Sequence, residues 1–255
     1  VTDMSGLFSG ASSFNDDISD WDTSGVTNMH SMFQDASSFN QNINSWNVSN
    51  VTDMSFMFTG ASNQEIETSL LNVNISSFNQ PLNNWDVSNV TSMEHMFSFT
   101  EFNQTINDWN VASVTNMGSL FRGASSFDQP LNSWDVSNVV DMEHMFSFTD
   151  FNQPLNDWNI SSVTQINYMY QNNNSFDQPL NNWDVSNVTI MSSVFEDATA
   201  FNQNINSWNT SNVIDLVSPF RGATSFDQDI SSWNIENVTH IAHTFDNSGL
   251  STNNY

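Results

Sequence analysis

The chain has 255 residues, no cysteine and a formal net charge of −26, because 28 acidic residues face only two basic ones, Arg122 and Arg221. Without cysteine there is no disulfide framework and no thiolate metal site, and no apolar run is long enough to span a bilayer. Nucleic acids and anionic membranes need a basic face, so the partners that remain are divalent cations, cationic proteins and basic polymers.

A regular repeat runs through the whole chain. Seven of the eight gaps between its nine tryptophans are 24 or 25 residues, and the eighth is one period plus an insertion. These tryptophans are Trp21, Trp46, Trp85, Trp109, Trp134, Trp158, Trp183, Trp208 and Trp233. A fixed period of this size indicates stacked copies of one supersecondary unit, so we predict a single repeat domain over residues 1–255.

Each copy has the same internal pattern, counted here from its Trp as position 0. Phe stands at −7, Ile or Leu at −3, Val at +5 and an aromatic residue at +12, with Met common at +8 and +11. The apolar steps from +5 to +15 are mostly three and four, which is typical of one face of a short helix. Positions −3 to +2 suit a short strand. We therefore predict an α/β repeat solenoid of about nine and a half coils, each a short strand plus a short helix, stacked into a single elongated rod.

The chain opens with a half-repeat, residues 1–13, because its first eight residues match positions +5 to +12 of later copies. This start in mid-repeat predicts a fragment of a longer protein, or a mature product that has lost its signal. The first full copy then carries a dense group of carboxylates, Asp16, Asp17, Asp20 and Asp22. They are weak candidates for binding Ca²⁺, a hard cation that takes roughly six to eight oxygen ligands.

Further along the chain come an insertion, a duplication and a tail. The insertion, about residues 62–75, follows the Trp46 copy and is expected to bulge from one edge without breaking the stack. Residues 93–103 and 142–152 are nearly identical, and each contains a Glu-His pair, Glu94-His95 and Glu143-His144. Two coils apart, about 10 Å at the spacing of strands in a sheet, these pairs are too distant to share a metal, and duplication explains them. The chain ends in a short tail, about residues 246–255.

Three rows of repeated side chains have competing interpretations. Asn or Asp follows every repeat Phe and every Trp, which suits either Ca²⁺ ligands or an asparagine ladder between coils; we favour the ladder, since amides outnumber acids at most of these positions. The Trp row suits a buried structural ladder better than an exposed strip for stacking on sugar rings. Thr fills +6 in seven of nine copies. A regular row of Thr also occurs in ice-binding solenoids, but the place of this row at the predicted helix start favours an N-cap.

The consensus W-[ND]-V-S-N-V-T-x-M-x-x-M-F-x-x-A-x-x-F-N-Q-x-[IL]-N covers essentially the whole chain. It closely resembles the repeat of BspA-like leucine-rich-repeat bacterial surface proteins. The resemblance implies a leucine-rich-repeat-like solenoid, an extracellular or cell-surface location, and adhesion to host proteins or other cells. It transfers no catalytic, cofactor or ligand residue to this chain.

Two functions follow as hypotheses, neither of them catalytic, because the sequence has no nucleophile with a base and an orienting group, no phosphate loop and no HExxH. The first is an extracellular binding module whose variable outward positions, such as +7, +9 and +10, and insertion Asn63–Asn74 contact a protein, a glycan or another cell. The alternative is a structural subunit of an extracellular filament or surface layer that assembles with copies of itself, head to tail, through open solenoid ends. A Ca²⁺-stabilised spacer is a minor third possibility.

Overall fold

The computed structural model describes residues 1–60, 74–252 and 254. Its backbone forms a series of stacked coils, one for each copy of the repeat, joined by main-chain hydrogen bonds. The N–H groups at +8, +10, +12 and +14 of one coil donate to the carbonyls at +7, +9, +11 and +13 of the next, and between the Trp21 and Trp46 coils these bonds are 2.8–3.0 Å long. The coils thus satisfy much of one another's backbone, as buried N–H and C=O groups require.

A narrow parallel ladder follows one side of the stack. Position +7 of each coil bridges position +7 of the next, in the order Asp3, Asn28, Asp53, Ser92, Asn116, Asp141, Gln165, Ile190 and Asp215. Near the C-terminus this ladder widens into two strands, β1 (Asp215–Val217) and β2 (His240–Ala242). They pair in parallel with Asp215 opposite His240. Elsewhere the ladder is a single residue wide in each coil, apart from a separate bridge between Ser76 and Thr100.

The prediction of a strand plus a helix in each coil is wrong. The described residues contain no helix, and their only strands of more than one residue are β1 and β2. The segment from +8 to +15 is a run of tight turns, in which the N–H groups at +11, +13 and +15 donate three residues back. The backbone at +10 has a positive φ in every coil, and so does the backbone at +14 in all but one coil. Left-handed residues at this spacing cannot continue a right-handed helix.

The predicted strand was also misplaced, and the predicted N-cap has another role. Positions −3 to 0 form a turn, in which the N–H of Trp134 donates to the carbonyl of Leu131 at 3.1 Å. The ladder lies at +7, outside the predicted strand. With no helix to cap, the hydroxyl at +6 donates to the preceding coil, as Thr52 does to the carbonyl of Thr27 at 3.2 Å.

Aromatic rings fill the interior of the coils. The Phe at +12 stacks on the next repeat Phe within its own coil, and Phe121 and Phe127 have ring centroids 3.8 Å apart. Phe121 also stacks on its counterpart in the following coil, Phe146, at 5.9 Å. All three rings are fully buried. Aromatic pairs of this kind are worth about 0.5–1.5 kcal/mol each beyond the apolar area they bury, so the core is built across coils as much as within them.

Candidate binding face

The side chains at +9, +10, +13 and +14 form one variable surface beside the +7 ladder, which we call the binding face. The interior positions repeat the same residue types, whereas +10 alone carries Gly, Ser, Phe, His or Tyr. In chain order the +10 residues are Gly6, Ser31, Phe56, His95, Ser119, His144, Tyr168, Ser193, Ser218 and His243. Four of the five ring-bearing members of this row lie in the coils from Trp46 to Trp158, so the aromatic surface of the face is concentrated there.

Rings at +10 stack across neighbouring coils. The Phe56 and His95 rings have centroids 4.6 Å apart, and those of His144 and Tyr168 are 4.4 Å apart and nearly parallel. All four side chains are partly exposed. Ser119 stands between the two pairs and is buried. The face therefore presents two short aromatic strips separated by a coil with a small residue.

The two histidines of these strips are held in their neutral form. Burial, reinforced by the nearby Arg122 guanidinium, lowers the pKa of His95 to about 4 and that of His144 to about 3. The Nδ1 atom of His95 lies 3.0 Å from the hydroxyl of Ser98, and the Nδ1 atom of His144 lies 3.3 Å from that of Ser147. Neutral imidazoles add aromatic surface to the face without adding positive charge.

Carboxylates border the coil that separates the strips. Burial, and next the Asp141 carboxylate, raises the pKa of both Glu94 and Glu143. Between these two glutamates, position +9 is Gly118. Glu94 accepts a hydrogen bond from the side chain of Asn116 at 3.2 Å, and Glu143 lies 3.8 Å from Nε2 of His144. This part of the face is acidic and crowded.

The two arginines both lie on the face, at +13. The guanidinium of Arg122 sits over the ring of Phe99, 5.7 Å from its centroid, within the range of a cation–π contact. That of Arg221 donates to Glu196 at 2.9 Å, and Glu196 also accepts from Nε2 of Gln171 at 2.9 Å. Sequence reasoning had named +7, +9 and +10 as outward positions but missed +13 and +14. The sequence did contain a signal for +13, because both arginines of the chain stand at that position.

The tryptophans other than the exposed Trp21 lie inside the stack, away from the binding face. Seven of them are 2–4 % exposed, while Trp21 is 38 % and Trp233 9 % exposed. From Trp46 onward, each indole Nε1 donates to the carbonyl at −3 of the preceding coil, at 2.9–3.1 Å. The Trp134 and Trp158 rings stack at 6.4 Å. Their geometry is that of a structural ladder and leaves no open strip for sugar rings.

The row that follows the repeat Phe, at −6, forms a second ladder. Each side-chain oxygen there accepts the backbone N–H of the next coil at 2.8–3.2 Å. The residues are Asn15, Asn40, Asn79, Asn103, Asp128, Asn152, Asp177, Asn202 and Asp227. These oxygens accept hydrogen bonds from the neighbouring coil, which is the arrangement that an asparagine ladder describes.

The four Ca²⁺ candidates of the first copy are all exposed. Asp17 accepts from the N–H of Ser19 at 3.0 Å, and Asp22 accepts from the N–H of Ser24 at 3.0 Å, so both carboxylates cap local turns. Asp16 and Asp20 lie beside them in sequence. In residues 1–60, 74–252 and 254, no group of three or more acidic or histidine side chains is placed to hold a metal ion. Residues 61–73, which hold most of the predicted insertion, lie outside the described residues.

No helix in the described part of the chain is long and apolar enough to cross a membrane. No curated protein matches the chain. A crystal structure of a leucine-rich repeat protein from Bacteroides ovatus resembles it with 10% identity and a TM-score of 0.32, over 97% of this chain and 80% of that one.

One family model matches nearly the whole chain. Its matches span residues 1–76, 69–178 and 147–254, in overlapping segments. Three successive matches to one model agree with the repeat that the tryptophan spacing indicates. The chain is therefore a repeat protein that belongs to the family described as Mycoplasma protein of unknown function, DUF285.

Proposed function

We propose that this chain is a non-catalytic, extracellular binding module that attaches to a protein, a glycan or another cell through its binding face. The proposal is supported by a difference between the inward positions of the coils and the positions on the binding face. Inward positions carry the same residue types in every copy, as stacking demands. The side chains at the face positions change from coil to coil, so the face can suit a partner while the inward positions keep the stack uniform.

The observation that carries the proposal is the pair of aromatic strips at +10. The backbone at +10 does not require a large side chain, since Ser stands there in the Trp21, Trp109, Trp183 and Trp208 copies. In four other coils the same position holds Phe56, His95, His144 or Tyr168, all partly exposed. Aromatic side chains are enriched where proteins bind partners, since they supply large rigid contact area.

The cell-surface location rests on the repeat itself. Its consensus resembles that of BspA-like surface proteins, which implies display outside the cell and a role in adhesion. The acidic, lysine-free composition agrees with a module that meets cationic protein surfaces. No residue is assigned a catalytic role in this function.

The experiment compares attachment of beads that carry the chain to cultured cells and to immobilised matrix proteins. The test variant replaces Phe56, His95, His144 and Tyr168 by Ser, the residue that other coils use at +10. Attachment by this variant should fall to the level of uncoated beads. A control variant exchanges Asp86, Asp135 and Asp184 for Asn, the residue that other copies use after the Trp.

The control is expected to attach like the parent chain, because its changes lie away from the binding face. Equal attachment by the parent and the Ser variant would exclude the binding face as the contact surface. Sedimentation of the same samples over a range of concentrations separates this function from self-assembly. Growth into fibres with no attachment to cells or matrix would favour a filament subunit instead.

A further inference from the structure

The internal duplication provides two versions of the same place on the binding face. Phe99 and Phe148 hold matching positions in the duplicated segments 93–103 and 142–152. In the first version the N–H of Phe99 donates to the carbonyl of Arg122 at 2.7 Å, and the Arg122 guanidinium lies over the Phe99 ring. The chain thus already seats one guanidinium on an aromatic ring of this face.

The second version keeps the backbone and changes the side chains. The N–H of Phe148 donates to the carbonyl of Gln171 at 2.8 Å, so Gln171 occupies the place of Arg122. A carboxamide carries no charge, and its flat end has two N–H donors and one carbonyl acceptor. The cation that accompanies the ring in the first version is therefore replaced by a neutral group in the second.

The next residue differs as well, and it changes the exposure of the ring. The Phe99 ring lies against Gly123, so close that an added Cβ would meet its Cδ1 atom at 2.4 Å. Phe99 is 5 % exposed. The matching residue in the second version is Asn172, whose side chain excludes that placement of the ring. Phe148 is accordingly partly exposed, and its ring is open to a partner.

A second, independent observation lies beside this ring. Gln171 is 5 % exposed, and its Nε2 donates to Glu196, but its Oε1 is buried and accepts no hydrogen bond from the described residues. A buried carbonyl oxygen without a donor is costly, and a donor brought by a partner recovers that cost. The last torsion of a Gln side chain has broad energy wells, so turning the carboxamide toward such a donor costs mainly the alignment of its Nε2 bond to Glu196.

We propose that Phe148 and Gln171 receive an arginine side chain from a basic segment of a partner protein, an inference that rests on the proposed binding function. The guanidinium stacks on the Phe148 ring, as Arg122 does on Phe99, and donates to Oε1 of Gln171. Arginine suits the site because its planar group combines stacking with several N–H donors, which the rounder lysine ammonium does not. The net charge of −26 attracts a basic segment over longer distances.

The test uses titration calorimetry of the whole chain with a hexa-arginine and a hexa-lysine peptide. The parent chain should bind hexa-arginine more tightly. Phe148→Leu keeps the charge and most of the apolar volume but removes the ring, and should weaken hexa-arginine binding by about two- to thirty-fold. Gln171→Arg should weaken it similarly, because the new guanidinium occupies the ring as Arg122 occupies Phe99.

A matched variant separates this site from general attraction. Asn132→Arg adds the same charge at an exposed position next to Leu131, away from the binding face, and should change hexa-arginine binding less than Gln171→Arg does. Circular dichroism of each variant verifies the fold. Equal binding by the parent chain and Phe148→Leu, or no preference for arginine over lysine in the parent, would overturn the inference. Bead attachment that still depends on the four +10 residues would then leave the proposed function standing.

Discussion

At the scale of single residues, the large interior side chains bond as well as fill space. An indole ring such as that of Trp134 packs in the core while its Nε1 reaches the carbonyl of Ile106 in the preceding coil at 3.0 Å. The oxygen of Asn103 accepts both the N–H of Asp128 and the amide of Gln129 in the following coil. A substitution of Trp134 that preserves volume alone would leave the buried carbonyl of Ile106 without this donor, at a cost of about 1–3 kcal/mol.

We predict that His95 and His144 stay neutral far below the ordinary imidazole range. Burial lowers the pKa of His95 to about 4 and that of His144 to about 3, from 6.5. Nuclear magnetic resonance titration of the imidazole signals measures this directly. Midpoints near 6.5 for both rings would contradict the buried environment that the structure gives them.

The same shifts have a defined effect on stability. Between pH 6.5 and about 4 the unfolded chain binds more protons at these histidines than the folded chain, so their contribution to the free energy of unfolding falls as the pH drops through this range. The raised pKa of Glu94 and of Glu143 acts in the opposite direction just above pH 4.5. The contribution of His144 is isolated by comparing the unfolding free energy of the parent chain with that of His144→Ser at each pH, because His95 is the same in both.

At the scale of elements, the unit of this fold is a tight turn whose N–H groups bond to the next coil. Apolar residues three and four apart were interpreted as a helix face, because both a helix and a run of turns bring such residues to one side. A helix and a run of turns differ in which carbonyls accept the hydrogen bonds from their backbone N–H groups. Here the N–H groups at +8, +10, +12 and +14 donate across to the following coil, and those at +11 and +13 donate three residues back, whereas an α-helix would bond four residues back. Local spacing carries no information about that choice.

We predict that Ser193→Gly stabilises the chain. Ser193 holds a φ of 53°, is buried, and stands at +10, where a Cβ is strained. Removing that strain outweighs the added freedom of the unfolded glycine and should raise the free energy of unfolding by about 0.5–1 kcal/mol. Denaturant titration provides the measurement.

Ser211→Gly is the matched control for this prediction, since Ser211 is not among the residues with a positive φ. It should lower the free energy of unfolding by about 0.5–1 kcal/mol, through chain entropy alone. Destabilisation of similar size by both substitutions would contradict the left-handed turn at +10.

At the scale of the whole molecule, each coil depends on its neighbours. The Phe121 ring stacks on Phe97 of the coil before and Phe146 of the coil after, at 5.8 and 5.9 Å. Phe8, in the first half-repeat, stacks on Phe33 in the following coil at 5.5 Å and on Phe14 at 3.9 Å. Stability in such a stack is a sum of units and the interfaces between them.

We predict unequal effects of the same substitution along the stack. Phe121→Ala removes a fully buried ring with neighbours on both sides and should cost about 3–5 kcal/mol of unfolding free energy. Phe8→Ala, at a partly buried ring with one following coil, should cost less than half as much. Denaturant unfolding monitored by tryptophan fluorescence compares the two. Equal losses of unfolding free energy would contradict a stack in which each coil is stabilised by the coils on either side of it.

The tryptophan period and the position-by-position pattern were enough to show a repeat, its register, and the positions that carry its apolar side chains. They follow from the sequence because stacking imposes the same requirement at the same place in every copy, as at Phe121, Phe146 and their equivalents. Only the tertiary structure decided that each coil is made of turns, that the ladder runs through +7, and that Phe148, Gln171 and Glu196 lie together on one face. The physical reason is that these features depend on hydrogen bonds and contacts between coils, which join residues about 25 positions apart and leave no trace in local spacing.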